Sequence, residues 1–201
     1  MEAEIVQITA ENIDEEHICC AIGNDKVNRK RALEKKAWMR EQFPGGFVFK
    51  KLNVRGKVFI EYVPAEHAWK PVDAPGYFII NCFWVSGKYK GHGFGKKLME
   101  EAIRDTAGSR GLVAVTSGKK MPWLVEKTMF LRFGFETCDQ APPYFELMVR
   151  KNDPSAPDPV FRDSARKGTI EEKEGVVIMY SNQCPFHEDF VEIMVQTARN
   201  S

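Results

Sequence analysis

Apolar residues along the first 150 positions fall into short, dense runs separated by longer charged stretches in which they recur every three or four residues. Residues 5–9, IVQIT, read as a short strand. Asn12 then caps NIDEEHICCAI, where Ile13, Ile18, Cys19 and Ile22 have helical spacing. DKVNRKRALEKKAWMREQF predicts a longer basic helix over 25–43, stopped by Pro44 and two glycines. FVFKKLNV and KVFIEYVP flank Arg55-Gly56 and predict a hairpin over 47–63. GYFIINCFWVS at 76–86 is almost continuously apolar, the pattern of a central strand covered on both faces.

A helix over about 94–107 follows, with Leu98, Met99, Ala102 and Ile103 on one face and Gly108 and Gly111 bracketing its end. LVAVTS is a second buried strand, which a helical crossover places parallel to the first. WLVEKTMFLRFGFE predicts another helix, ending at Gly134, and YFELMVR a closing strand. The order β α α β β β α β α β β contains no internal repeat and describes an α/β (α+β) chain.

Composition shifts at Asn152. NDPSAPDPVFRDSARKGTIEEKEG is rich in proline and charge, so 152–175 reads as a linker or a surface-wrapped connector after a main unit over 1–151. VVIMYSNQCPFHEDFVEIMVQTARNS, over 176–201, then reads strand, turn, helix. One strand and one helix cannot bury a core alone. The unit either docks on the main domain or is the front part of a longer parent.

The chain has 201 residues, 43% of them hydrophobic and 28% charged, with a formal net charge of +1. This globular profile offers no basic balance to attract nucleic acid. No apolar run approaches the ~20 residues of a membrane span. The acidic N-terminus runs straight into a strand, unlike a cleaved signal, and a cytoplasmic location is expected. Five cysteines without a CxxC motif are expected to be reduced, and the scattered histidines His17, His67, His92 and His187 lack metal-ligand spacing, so no metal site is expected.

The stretch KYKGHGFGKKL, 88–98, places Gly91, Gly93 and Gly95 at alternate positions directly after the apolar run. The dinucleotide pattern GxGxxG from Gly91 fails at Lys96. A Walker loop ending at Gly95 and Lys96 fails at Lys90 and Lys97. A generic anion loop survives: glycines let backbone N–H groups turn toward one point, and the helix N-terminus adds about half a positive charge.

In this setting, Cys82 to Glu136 resembles the GNAT family of acyl-CoA-dependent acetyltransferases. There a central strand ends in a Val, followed by a loop Q/R-x-x-G-x-G/A that opens a helix. The matching residues are Val85 and Lys90-Gly91-His92-Gly93-Phe94-Gly95, with lysine in place of Gln or Arg. FLRFGFE, centred on Gly134-Phe135, is similar to the family's later helix and strand. FIEYVPAEHAWKP, NCFWVSGKYKG, PYFELM and YSNQCPF resemble a YoaP-like subgroup, whose C-terminal part resembles a thioredoxin-like domain.

The resemblance implies a mixed central sheet flanked by helices and direct transfer of an acyl group from acetyl-CoA to a small-molecule amine or amino acid. Backbone N–H groups near Gly91, Gly93, Gly95 and Lys96 would hold the coenzyme A pyrophosphate, in a loop that includes Lys90, His92 and Phe94. Pantetheine would pair with the strand edge at Phe83, Trp84 and Val85, and an N–H near Phe83 would donate to the thioester carbonyl. Lys119 and Lys120 are candidates for the 3′-phosphate. Cys82 needs no nucleophilic role.

Family members commonly protonate the leaving thiolate with a tyrosine, and the matching residue here is Phe130; a frequent Asn earlier in that helix corresponds to Trp123. Tyr62 and Tyr144 are substitute candidates for the acid. Glu61 and Glu66 are candidates for binding or deprotonating the amine, with Trp69 as an aromatic wall. Cys184, at a predicted strand-to-helix turn, is a candidate reactive thiol without the second cysteine of CxxC. Two other classes stay open: an acyl-CoA-binding domain without turnover, and a thiol-redox accessory protein using Cys184.

Overall fold

The computed structural model describes residues 4–18, 21–168 and 175–200. In chain order the elements are β1 (Ile5–Ile8), α1 (Lys26–Gln42), β2 (Val48–Leu52), β3 (Val58–Pro64), β4 (Val72–Asp73), β5 (Phe78–Val85), α2 (Phe94–Asp105) and β6 (Gly111–Ser117). They continue with α3 (Lys127–Leu131), β7 (Glu136–Ala141), β8 (Phe145–Lys151), β9 (Val160–Phe161), α4 (Asp163–Lys167) and α5 (His187–Arg199). Seven strands form one mixed sheet in the order β1-β2-β3-β5-β6-β8-β7, and β4 and β9 pair separately. Within the large sheet the β5–β6 pair is parallel, as a crossover through α2 requires, and the remaining pairs are antiparallel.

Strand alternation divides the core between the two faces. Ile79, Val113, Leu147 and Val149 pack with Met39 of α1, while Ile80, Ala114 and Met148 pack with Phe94, Leu98, Met99 and Ala102 of α2. The buried stripe of α2 recurs at helical spacing, which fixes that helix against β3 and β5. At the start of α1, Asp25 caps the helix by accepting from the Asn28 N–H at 3.0 Å.

Three predicted elements differ. The helix expected over 12–22 is a set of turns: Asn12 Oδ1 accepts from the Thr9 N–H, and the Asn12 carbonyl accepts from the N–H groups of Glu15 and Glu16. Ile13 and Ile18 are buried as separate anchors, and Glu16 pairs with Lys51 at 2.6 Å, so tertiary contacts override the local pattern. Cys19, part of that expectation, lies outside the described residues. The helix expected over 123–134 is limited to α3, because Trp123 has φ 66° and cannot belong to a right-handed helix. The strand expected at 176–181 does not form; Val176, Met179 and Tyr180 are exposed there and pair with no sheet edge. The helix beyond it is present as α5.

Residues 152–168 lie along the domain. Phe161 and Ala156 are buried in the core on the α1 face, Tyr77 Oη donates to the Pro157 carbonyl at 2.9 Å, and the Phe161 N–H donates to Asp139 at 2.7 Å. Residues 175–200 are anchored on α1. Lys30 pairs with Glu188 at 3.0 Å, Arg31 pairs with Asp189, and the Arg31 guanidinium lies 5.0 Å from the Phe186 ring centre.

Candidate active site

The middle of β5 creates the site. Asn81 is one residue too many: Cys82 pairs with Glu61 and Ile80 with Tyr62, so β5 bulges between them. Before the bulge, Phe78, Ile79 and Ile80 pair with β6; beyond it that pairing stops, while β6 continues along β8 to Ser117. The Ser86 N–H donates to the Lys57 carbonyl at 3.0 Å, toward the β3 side. Hydrogen-bonding directions alternate along an antiparallel strand, so the backbone groups of Trp84 and Cys82 also face β3. Those of Phe83 and Val85 face the open side.

A cavity of about 1110 Å³ follows this open edge. Cys82, on the α1 face, and Phe83, Phe94 and Phe130, in the α2-side core, all line it, so the cavity passes through the splay in the sheet. At its other end are Lys90, Gly91, Gly93, Gly95 and Lys96.

The three glycines have two separate reasons. Gly91 and Gly93 have φ of 81° and 78°, and a Cβ on either would meet nothing within 4 Å, so their backbone conformation, not crowding, demands glycine. Gly95 has an ordinary φ, but its Cβ would come within 3.2 Å of Phe83 and Met129 and 3.4 Å of Val85. It lets α2 approach β5. Gly93 is the N-cap of α2, no side chain caps the first turn, and no acidic residue occupies it. The first-turn N–H groups are thereby directed at the cavity end where Lys90 and Lys96 stand.

The opposite wall is the segment 120–126, anchored where Thr116 Oγ1 donates to the Val125 carbonyl at 2.5 Å. Trp123, left-handed at φ 66°, is packed from outside by Phe190 at 5.4 Å and Phe186 at 6.3 Å between ring centres. The C-terminal segment thus buttresses the cavity wall.

The geometry is matched by comparison with known proteins. The model of the Acetyltransferase (GNAT) family matches residues 10–135. The chain belongs to the GNAT acetyltransferase family. Over 183 residues, 90% of this chain and 72% of the relative, it is 42% identical to a Bacillus subtilis protein named Uncharacterized N-acetyltransferase YoaP. The solved structure of PaiA N-acetyltransferase from Thermoplasma acidophilum, in complex with coenzyme A, has a TM-score of 0.50 at 15% identity, covering 75% of this chain and 99% of that one. An acetyltransferase from Thermus thermophilus gives 0.50 at 15%, covering 75% and 97%. These likenesses are to the GNAT fold, a seven-stranded mixed sheet flanked by helices.

In this GNAT chain the sequence-predicted loop and strand residues Phe83, Trp84, Val85, Lys90, Gly91, Gly93, Phe94, Gly95 and Lys96 come together along one cavity. His92 is exposed beside them, its ring 5.9 Å from that of Phe94. The four acid and base candidates are elsewhere. Glu61 is fully buried, 2.6 Å from Lys35 Nζ and hydrogen-bonded by Gln183 Nε2. Glu66 accepts from the Gly76 N–H at 2.6 Å on the surface. Tyr62 donates to Asp105 in the α2-side core, where burial first, then the Asp105 carboxylate, push its hydroxyl far above the ordinary value. Tyr144 lines a smaller depression with Gly118 and Lys119. Lys120 pairs with Glu126 at 2.8 Å, which raises its pKa. Trp69 is exposed.

Phe130, at the GNAT tyrosine position, is buried, lines the cavity and packs 5.3 Å from Phe135. Local reading passed over three residues: Lys70 on the cavity wall and, away from the cavity, Lys35 and Gln183 around the buried Glu61. Of these, only Lys70 carried a local signal, a charge placed directly before Pro71 at the end of AEHAWKP.

Proposed function

We propose that this chain transfers an acyl group, with acetyl-CoA as the expected donor, to the amine of a small molecule or amino acid by direct attack. The observation that carries this reading is the free backbone edge of Phe83 and Val85, running toward a glycine loop at an uncapped helix N-terminus. N–H groups from Gly91 to Lys96 hold the pyrophosphate, with Lys90 and Lys96 supplying positive charge. Pantetheine, whose amides are spaced like a peptide's, adds to the open strand edge. The Phe83 N–H, directed into the splay, donates to the thioester carbonyl and stabilises the tetrahedral oxyanion.

The acceptor amine approaches from the α1 face, past Cys82 and Lys70. Its nitrogen forms the new bond to the carbonyl carbon as the carbon–sulfur bond breaks. Phe130 has no proton to give, so the sulfur departs as thiolate, and the proton shed by the amine nitrogen reaches it through water. The T. acidophilum protein in complex with coenzyme A supports the choice of donor.

Calorimetric titration with acetyl-CoA, run beside Gly93→Trp, tests the reading. Micromolar binding that the variant loses, followed by CoA release with an amine, is the expected result. Binding without release across a broad amine panel would make the chain a holder of acyl-CoA; no binding by the folded protein would dismiss the donor.

A further inference from the structure

Lys70 follows β3 in the loop AEHAWKP and lines the same cavity as Cys82 and Phe83. Cys82 and Glu61 are the two groups whose influence favours its charged form. Glu61 is already paired, its oxygens meeting Lys35 and Gln183. Among the described residues the Lys70 amine has no hydrogen-bond or ion-pair partner. Of the cavity's other cations, Lys96 pairs with Glu100 at 3.7 Å and Lys120 with Glu126 at 2.8 Å, while Lys90 and Arg132 are exposed to solvent. Burial weakens the hold of Lys70 on its proton, first by desolvation, against the smaller opposing pull of Cys82 and Glu61. Loss of that proton frees the lone pair with which an amine attacks, and Lys70 lines the same cavity as the strand edge along which the acyl donor is placed.

We propose that Lys70 is a self-acylation site: with no acceptor bound, its amine takes the acyl group from acyl-CoA held in the same cavity. The inference rests on the acyl-CoA reading above. In the step, the neutral Nζ forms a bond to the thioester carbonyl carbon, the carbon–sulfur bond breaks, and CoA leaves as thiolate. The proton shed by nitrogen passes through water to the thiolate. The product amide has no charge and a longer side chain, so it narrows the acceptor side of the cavity and slows turnover until the chain is deacylated.

The test is to incubate the full chain with acetyl-CoA and no added amine, then measure intact mass and map the modified peptide. One acetyl group per chain is expected, at Lys70, absent from Lys70→Arg and suppressed by excess free CoA. Proximity within the cavity makes that site react about 100-fold faster than exposed lysines. Acetylation spread over surface lysines and indifferent to free CoA, or none at all, overturns the site; if the same preparation still releases CoA to an amine, the transferase reading survives. Failure to bind acetyl-CoA in the calorimeter removes both.

Discussion

Gln183 and Glu61, 122 positions apart, are joined by a hydrogen bond from the Gln183 amide to the Glu61 carboxylate. Lys35 completes the group, 2.6 Å from Glu61 and 2.7 Å from the Gln183 carbonyl. Helix α1, strand β3 and the C-terminal segment therefore converge on one buried charge pair, next to the strand that borders the cavity.

That convergence makes Lys35 hard to remove. Lys35→Met leaves the Glu61 carboxylate buried beside Gln183 alone and is expected to lower stability by about 3–5 kcal/mol, while Lys35→Met combined with Glu61→Leu recovers most of the loss. Urea denaturation of the three proteins measures this. Equal losses in the single and double variants would mean that the pair has no such coupling.

The glycine loop separates binding from packing. A Cβ at Gly91 or Gly93 meets no atom within 4 Å, so Gly91→Val and Gly93→Val are expected to cost chiefly the left-handed backbone penalty, about 1–2 kcal/mol or more, and to abolish acetyl-CoA binding. Gly95→Val collides with Phe83 and Met129 and is expected to cost about 1–3 kcal/mol of stability as α2 is pushed from β5. Calorimetry paired with thermal melts distinguishes the two classes. Unchanged affinity in Gly93→Val would remove the loop from the donor site.

Glu101 and Glu146 are among the carboxylates that shape the acid limb of stability. The Lys50 hydrogen bond lowers the pKa of Glu101, and the Lys127 hydrogen bond that of Glu146, both from 4.5. Each carboxylate is thus more acidic folded than unfolded, so its contribution is complete above pH 4.5 and disappears as pH falls through the lowered folded value. The urea midpoint should drop below pH 4.5, and less steeply in Glu101→Gln. Parallel acid limbs in the two proteins would show that Glu101 is not involved.

Phe130→Tyr tests the leaving group. The ring lines the cavity, so an added hydroxyl has a route to it, and supplying a proton to the departing sulfur is expected to raise CoA release about 10-fold or more. A rate unchanged within error, with acetyl-CoA affinity retained, would show that thiolate departure does not limit turnover.

The legible part of this protein lies where conformation and residue type are tied locally. A nearly unbroken apolar run could only be a doubly covered strand, and Gly91 and Gly93 announce positive φ. The 120–126 wall was hidden because Trp123 adopts a backbone geometry that its side chain disfavours and that its surroundings impose. Asn81 was hidden differently: one inserted residue leaves the run apolar while ending its pairing with β6. Lys70 and the Glu61 group are assembled across long chain separations, for which no periodicity exists. The segment 176–181 carries strand-forming residues, but strand propensity is realised only beside a sheet edge, and β1 and β7 offer theirs elsewhere.

The bulge at Asn81 also divides one strand into two mutational territories. Toward the N-terminus, Phe78 to Ile80 is held by neighbours on both sides, and substitutions there should register in folding. Past Asn81, Cys82 to Val85 is supported from one side only, so a change can retune what docks on the other while leaving the scaffold standing. A single extra residue thus gives a continuous hydrophobic segment both an architectural half and an adaptable one.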